Sequence, residues 1–348
     1  MTAAQVEALA RSPFVPDGVL VYPGVPDTAD WFEARRSGIS ATDVKAIVGA
    51  DAFRTPMHVW LDKRGELPPE SGPSHFAEAG TRLEPVIAQW WADHHKVIVE
   101  PTGVWANAAE RWQVASPDRV IVDCPDGDGP CGLEVKNRNA YVAGQWSDDV
   151  PDDVLAQTGW QMVVTGWGHV HVAALIGGNT PKWHRVDRDR ELEDYLVTEA
   201  ARVWAAVLDG VPPAVDASAA LARLLDAMHP DREGGSLVER EQAADLYRRY
   251  RDGNTLERQG KAIKARCRSE AVALLDAAEE LWTPGAAGPL VTYRAGQTTA
   301  IPADELRRLA TEHPKIYARL VREGFVSTST TRTLRWSERV GKAITDGE

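Results

Sequence analysis

Cysteine is scarce in this chain. Cys124, Cys131 and Cys267 are the three among 348 residues, too few and too scattered for a disulfide framework, a four-cysteine zinc site or an iron–sulfur cluster. They read as free thiols, although Cys124 and Cys131 can approach each other across a hairpin. Also lacking is any run of about 18 apolar residues, so no membrane span is expected. The Met1–Ala10 start does not show the basic-then-apolar order of a secretion signal, and a cytoplasmic location is the expectation. Positive charge is in deficit: 39 Lys and Arg against 51 Asp and Glu leave a net −12. That balance weakly disfavours a nucleic-acid partner but does not exclude one, because grip on phosphates depends on where cations stand locally. What is present is ordinary globular composition, 43% hydrophobic and 26% charged, enough for one large domain and an appendage.

Periodicity divides the chain. Residues 1–28, rich in Pro, Gly and Val, read as an irregular leader. Residues 29–215 read as the main domain. It opens with helices at Asp30–Arg36, after the capping phrase Ser40-Ala41-Thr42-Asp43, and at Pro56–Arg64. A long helix follows from about Glu78 to His95, with Leu83, Val86, Ile87, Trp90 and Trp91 on one stripe. Strands are expected at Thr102–Ala106, Gln113–Val122 and Gly132–Asn137, the last two joined by a turn at Pro125–Gly129. A helix at Asp152–Gly166, a hairpin of His169–Ile176 with Trp183–Val186, and a helix at Asp189–Asp209 complete it. The predicted fold class is α/β, a mixed central sheet flanked by helices. Residues 216–236 read as a linker. Residues 237–282 read as a charged segment of two antiparallel helices or one interrupted helix, with a turn at Gly253-Asn254. Residues 283–348 read as a small α/β module, with strands at Leu290–Tyr293 and Thr328–Trp336 around a helix near Ala303–Glu323.

The chemistry is carried by Glu84, by Ser116-Pro117-Asp118, and by Glu134-Val135-Lys136. In a strand, residues i and i+2 share a face, so Glu134 and Lys136 project together while Val135 turns to the core. Pairing of the two strands across the Pro125–Gly129 turn brings Asp118 beside Glu134. Two carboxylates and an amine then converge. Carboxylate oxygens are the hard ligands that magnesium takes, and so few protein oxygens leave positions for water and a phosphate oxygen. Asp118 and Glu134 are the expected metal ligands, with the Val135 carbonyl as a third. Glu84 is assigned to a second or water-bridged ion, and Lys136 to the attacking water. A single Asp followed by Glu-x-Lys is common on the polar face of any strand; its surroundings here give it weight.

Those surroundings form an ordered set: Trp31-x-x-x-Arg35, Gly38-Ile39-Ser40-Ala41-Thr42-Asp43, Gly80-x-x-Leu83-Glu84-Pro85, Ala115-Ser116-Pro117-Asp118, Leu133-Glu134-Val135-Lys136, Ala156-Gln157 and Gly166. From about Ala29 to Pro213 the chain resembles the YqaJ-like viral recombinases, in the lambda-exonuclease-like branch of the PD-(D/E)XK nucleases. The resemblance implies a restriction-endonuclease-like core and a magnesium-dependent exonuclease, with manganese as a substitute. Its substrate would be double-stranded DNA ends, degraded 5′ to 3′ to leave a 3′ single strand for an annealing protein. It also implies a homo-oligomeric ring, trimer or tetramer. By the same resemblance Arg35, Thr42 and Ser116, with Ser40 from the same phrase, hold the 5′ phosphate. Thr42 stands where serine is more usual, and a helix N-cap or first-turn role is its plain alternative. Gln157 matches the glutamine beside the catalytic lysine, and Gln161 lies one turn along the same wall.

Other readings stay open. The same site suits a structure-specific or restriction-type endonuclease, and a non-catalytic DNA-binding recombination scaffold is the reading from another class. His94-His95 and His169-x-His171 do not read as zinc ligands, because no cysteine or carboxylate stands at suitable spacing. The basic residues between Arg248 and Arg268 extend a DNA track, form an oligomer contact or, more simply, make a solvated face.

Overall fold

The computed structural model describes residues 12–24, 28–68, 75–282, 284, 288–294 and 303–326. It divides into two units, Met1–Arg232 and Glu233–Glu348. The first begins with β1 (Gly18–Tyr22), α1 (Ala29–Arg36), α2 (Ala41–Ile47), α3 (Pro56–Lys63) and α4 (His75–His95). Then come β2 (Val99–Pro101), β3 (Val104–Asn107), β4 (Val114–Ala115), β5 (Arg119–Ile121) and β6 (Cys131–Arg138). A 3-10 helix at Ala140–Trp146 precedes α5 (Asp152–Thr165), β7 (His169–Ile176), β8 (Thr180–Asp187), α6 (Arg190–Asp209) and α7 (Ala219–Met228).

The central sheet has the order β2-β5-β6-β7-β8. Its β6–β7 pair is parallel, bridged by α5, and the other pairs are antiparallel. On one face Cys131, Leu133, Val135, Ala173 and Leu175 pack with Ile87, Ala88 and Trp91 of α4. On the other, Val170, Val172, Ala174 and Ile176 join the larger core with Val154, Ala156 and Trp160 of α5 and Leu196 and Ala200 of α6. The fold is the expected α/β arrangement of a mixed central sheet flanked by helices. Burial on both faces explains why all eight residues of β7 are buried and why its sequence does not alternate cleanly.

Several local expectations are corrected. Gly18–Tyr22, in the stretch read as irregular, is a strand that pairs with β3 in a second sheet of order β1-β3-β4. Gln113–Val122 is not one strand: β4 joins that small sheet, β5 joins the central one, and Ser116-Pro117-Asp118 makes the crossing. Pro117 supplies no N–H for a ladder, so the chain leaves one sheet there and enters the other. Within residues 216–236, α7 forms a helix whose Leu221 and Leu224 pack on Trp60 and Leu61 of α3.

The second unit contains α8 (Arg240–Leu275), β9 (Glu280–Leu281), β10 (Val291–Thr292), α9 (Ala303–Glu312) and α10 (Pro314–Arg322). Helix α8 runs unbroken through Gly253-Asn254, where a turn was expected. Each interior glycine, Gly253 and Gly260, costs about 1 kcal/mol, too little to stop 36 residues of cooperative propagation. Several of its basic residues are met by neighbouring acids, Arg249 by Asp245 at 2.9 Å and Lys261 by Glu257 at 2.5 Å. The helix expected near Ala303–Glu323 is two, because Pro314 disfavours helical backbone at His313, whose φ is −131°. The predicted strand at Thr328–Trp336 lies outside the described residues.

Gly132 shows how tightly the site's scaffold is packed. A Cβ there would stand 2.1 Å from Cζ3 of Trp167, a fully buried ring whose Nε1 donates to Phe14 O at 2.6 Å. Gly132→Ala is expected to cost about 1–3 kcal/mol, read as a lower urea midpoint at unchanged slope. A variant as stable as the parent would show that Trp167 can move freely.

Candidate functional site

Asp118 stands at the end of the crossing between the two sheets, immediately before β5. The register Arg119↔Leu133 continues one step back to bring it level with Glu134, and Asp118 Oδ2 accepts the Val135 N–H at 2.7 Å. Glu134 and Lys136 project from β6 toward α5, as the period of two demands. Glu134 is 1% exposed and is satisfied from three sides: the Lys136 ammonium pairs with Oε1, Gln157 Nε2 donates to Oε1 at 2.7 Å, and Gln161 Nε2 donates to Oε2 at 2.6 Å. Gln157 Oε1 in turn accepts from Lys136 Nζ at 3.0 Å. The spacing Gln157, Gln161 on one face of α5 thus presents two amides to one carboxylate.

Asp118 is pushed well above the usual carboxylate range, first by burial, then by the charge of Glu134, with Glu84 adding to it; Lys136 and the Val135 N–H oppose the shift. A carboxyl in that position is short of positive charge. Three acids, few cations and oxygen donors only are what a hard divalent ion fits.

Glu84 comes from α4, where Pro85 inside the helix removes one backbone donor. It pairs with Arg119 Nη1 at 2.7 Å. Arg119 was not among the residues singled out in the sequence, although it directly follows Asp118 and donates to its carbonyl oxygen; the meeting of α4 with β5 gives it an acidic partner. Glu84, Asp118, Arg119 and Gln157 open on a cleft of about 680 Å³ that Arg35, Ser40, Thr42 and Ser116 also line.

The other wall is built by α1 and α2. The Arg35 guanidinium lies over the Trp31 ring, 4.3 Å from its centroid, and its Nη2 donates to Ser40 Oγ at 3.2 Å. Trp31 Nε1 donates to Ser116 Oγ at 3.4 Å. Ser40 is the N-cap of α2: its Oγ donates to Asp43 Oδ2 at 2.6 Å, and its N–H donates to the same oxygen at 2.9 Å. The cap is therefore Ser40, and Thr42, two residues into the helix, is left to line the cleft. Val135 places its side chain in the core on the α4 face.

In its residues the crossing and the strand spell Pro117-Asp118 … Glu134-Val135-Lys136, the PD-(D/E)XK arrangement. Residues 30–168 match the YqaJ-like viral recombinase domain. The match takes in every site residue named above. The chain is also 29% identical, over 215 residues, to "Uncharacterized protein YqaJ" of Bacillus subtilis (strain 168); the overlap covers 60% of this chain and 66% of that protein, just under two thirds of its length. Among solved structures it is similar to an alkaline exonuclease, LHK-Exo, from Laribacter hongkongensis, with a TM-score of 0.45 and 19% identity over 53% of this chain and 94% of that one. A phage related exonuclease from Haemophilus somnus 129PT has a TM-score of 0.34 and 12% identity, over 54% and 91% of the two chains. No helix among the described residues is long and apolar enough to cross a membrane.

Cysteine and histidine are placed differently from the expectation. Cys124, Cys131 and Cys267 are free thiols, but Cys124 and Cys131 meet His169 and His171, with one donor atom of each within 4.8 Å of the others. The reading that these histidines have no cysteine at suitable spacing holds along the sequence and fails in space, because β6 and β7 are neighbours although about 38 residues apart.

Proposed function

We propose that this chain is a magnesium-dependent exonuclease that hydrolyses double-stranded DNA from its ends, 5′ to 3′. The observation that carries the reading is the meeting of Asp118, Glu134 and Lys136 directly behind a cleft that Asp118 and Gln157 line together with Arg35, Thr42 and Ser116. Asp118 and Glu134 would hold a divalent ion, with the Val135 carbonyl and Glu84 as further oxygen donors. Bound there, the ion would acidify water and neutralise charge on the phosphate. Lys136 holds a proton at Nζ and orients the attacking water, while Gln157 fixes the ammonium and Gln161 fixes Glu134. Arg35, kept rigid by the Trp31 face and Ser40, receives the 5′-terminal phosphate with hydroxyls of Thr42 and Ser116. Manganese would substitute for magnesium. A ring-shaped homo-oligomer, and a single-strand annealing protein that takes the 3′ strand, complete the proposal.

The test is digestion of end-labelled linear duplex with and without a 5′ phosphate, beside closed circular DNA, with magnesium, manganese or chelator. Linear, 5′-phosphorylated ends are expected to be consumed and circles spared. Cleavage of circles would instead make the site an endonuclease, and no metal-dependent digestion of any substrate would leave a DNA-binding scaffold. Arg35→Ala is expected to lose most of the discrimination between phosphorylated and unphosphorylated ends; retention of that preference would remove Arg35 from phosphate recognition.

Ion binding has a readout independent of cleavage. The raised pKa of Asp118 means that its contribution to folding is full below its ordinary value of 3.8 and is lost as pH rises through the higher folded value. Above that ordinary value the buried carboxyl therefore burdens the ion-free fold. Asp118→Asn, which keeps an oxygen for the Val135 N–H, is expected to melt above the parent without added metal. Magnesium should raise the parent's melting temperature and leave the variant's nearly unchanged. Equal shifts in both proteins would take Asp118 out of the ion site.

A further inference from the structure

A second group of metal-ligating side chains lies on the far side of the central sheet from Glu134 and Lys136. Cys131 opens β6, and the parallel register, Gly132↔Val170 and Leu133↔His171, sets it beside His169. Residues i and i+2 of β7 share a face, so His169 and His171 both point to the α4 side. Cys124 arrives from the loop between β5 and β6. Its Sγ lies 3.2 Å from His169 Nε2 and 3.9 Å from His171 Nε2, and all four donor atoms fall within 4.8 Å of one another.

Those separations have a meaning for a metal. With zinc–sulfur bonds of about 2.3 Å and zinc–nitrogen bonds of about 2.0–2.1 Å, the sulfur–nitrogen edge of a tetrahedron is about 3.5 Å. The two measured edges bracket it. Four donors so close enclose one ion and leave no room for a bridged pair of irons. Two thiolates and two imidazoles in a tetrahedron select zinc among the common divalent ions, whereas the oxygen donors across the sheet select magnesium.

The surroundings are those of a closed site. Cys131 is fully buried, His169 is 1% exposed and His171 6%, and the Trp91 ring covers His171 with centroids 5.1 Å apart. Asp126 Oδ2 stands 3.6 Å from His171 Nε2 and is held by Arg185 Nη1 at 2.5 Å, which also reaches Asp128 at 2.7 Å. The loop that carries Cys124 is thereby tied to β8 as well.

We propose that Cys124, Cys131, His169 and His171 bind one structural zinc ion, which clips the β5–β6 loop onto β7. With four protein ligands no position is left for water or substrate, so the ion is a fastener and takes no part in hydrolysis.

The full chain, purified without chelator and exchanged into metal-depleted buffer, is expected to carry one zinc per chain by elemental analysis. Lys136→Ala and Cys267→Ser should keep it, and Cys124→Ser should lose at least nine-tenths of it. In the parent, an organomercurial should release the zinc as the Cys124 and Cys131 thiols are blocked, and cobalt exchange should produce thiolate-to-metal charge-transfer absorption. The mercurial titration decides the matter even when Cys124→Ser does not fold. Undiminished zinc in Cys124→Ser, a metal-free parent with three titratable thiols, or a parent with one titratable thiol and a Cys124–Cys131 disulfide would each overturn the proposal. None of these results depends on nuclease activity.

Discussion

Lys136→Ala is expected to slow single-turnover cleavage of end-labelled duplex by about 10²–10⁴-fold, the range for loss of a positioned proton-transfer group, while duplex affinity measured with calcium stays close to that of the parent. The side chain is 12% exposed, paired with Glu134 and bonded to Gln157. Its removal does not orphan Glu134, because Gln157 and Gln161 still donate to that carboxylate. The buried Glu134 carboxylate nonetheless loses its cation, so a lower urea midpoint is expected as well, and the loss in the chemical step is read at a temperature where the variant stays folded. Lys136→Arg should rescue little: guanidinium keeps the charge, but its larger planar fork replaces a compact ammonium held between Glu134 and Gln157. Cleavage within about twofold of the parent in Lys136→Ala would end the assignment.

Lys63→Met should have the largest effect on stability, about 3–5 kcal/mol, measured as a fall in the urea midpoint. Lys63 Nζ lies 2.7 Å from Asp43 Oδ2, with the two side chains 1% and 2% exposed, and it also donates to Arg35 O at 2.9 Å. Burial pulls Asp43 upward most strongly, yet Lys63, Arg54 and Arg35 together outweigh it and hold the carboxyl below the usual range. The variant leaves a buried carboxylate with Arg54 at 3.5 Å. For a depressed carboxyl the stabilisation is present above its unfolded value of 3.8 and is lost as pH falls through the folded one. The parent should thus lose stability steeply below about pH 4, and Lys63→Met should lose less over the same window. Because Asp43 anchors the cap at Ser40 and Lys63 holds the Arg35 backbone, the variant should also blunt the preference for 5′-phosphorylated ends. An unchanged midpoint would mean that the pair is replaceable by apolar packing.

Much of the site could be read from the chain because its spacing is local. Glu134 and Lys136 share a face through the strand period, Gln157 and Gln161 share one through the helix period, and Ser40 with Asp43 announces a cap. The same local logic misjudged Gln113–Val122. An apolar run with one proline looks like a single strand, and only the competition of two sheets for its halves places Asp118 in the crossing. It also missed β1, whose Val and Leu have no partner until β3 lies beside them, and the pairing of Arg119 with Glu84.

Residue type and period alone determined that the chain alternates helices and strands, and that two acids and a lysine stand ready on adjoining segments. They could do so because backbone geometry repeats every two or 3.6 residues, whatever surrounds it. The tertiary structure alone decided which distant groups meet: Glu84 with Arg119, Lys63 with Asp43, and two scattered cysteines with two histidines. Those encounters follow from sheet order and helix packing, which depend on the burial of the entire core and leave no periodic trace in the chain.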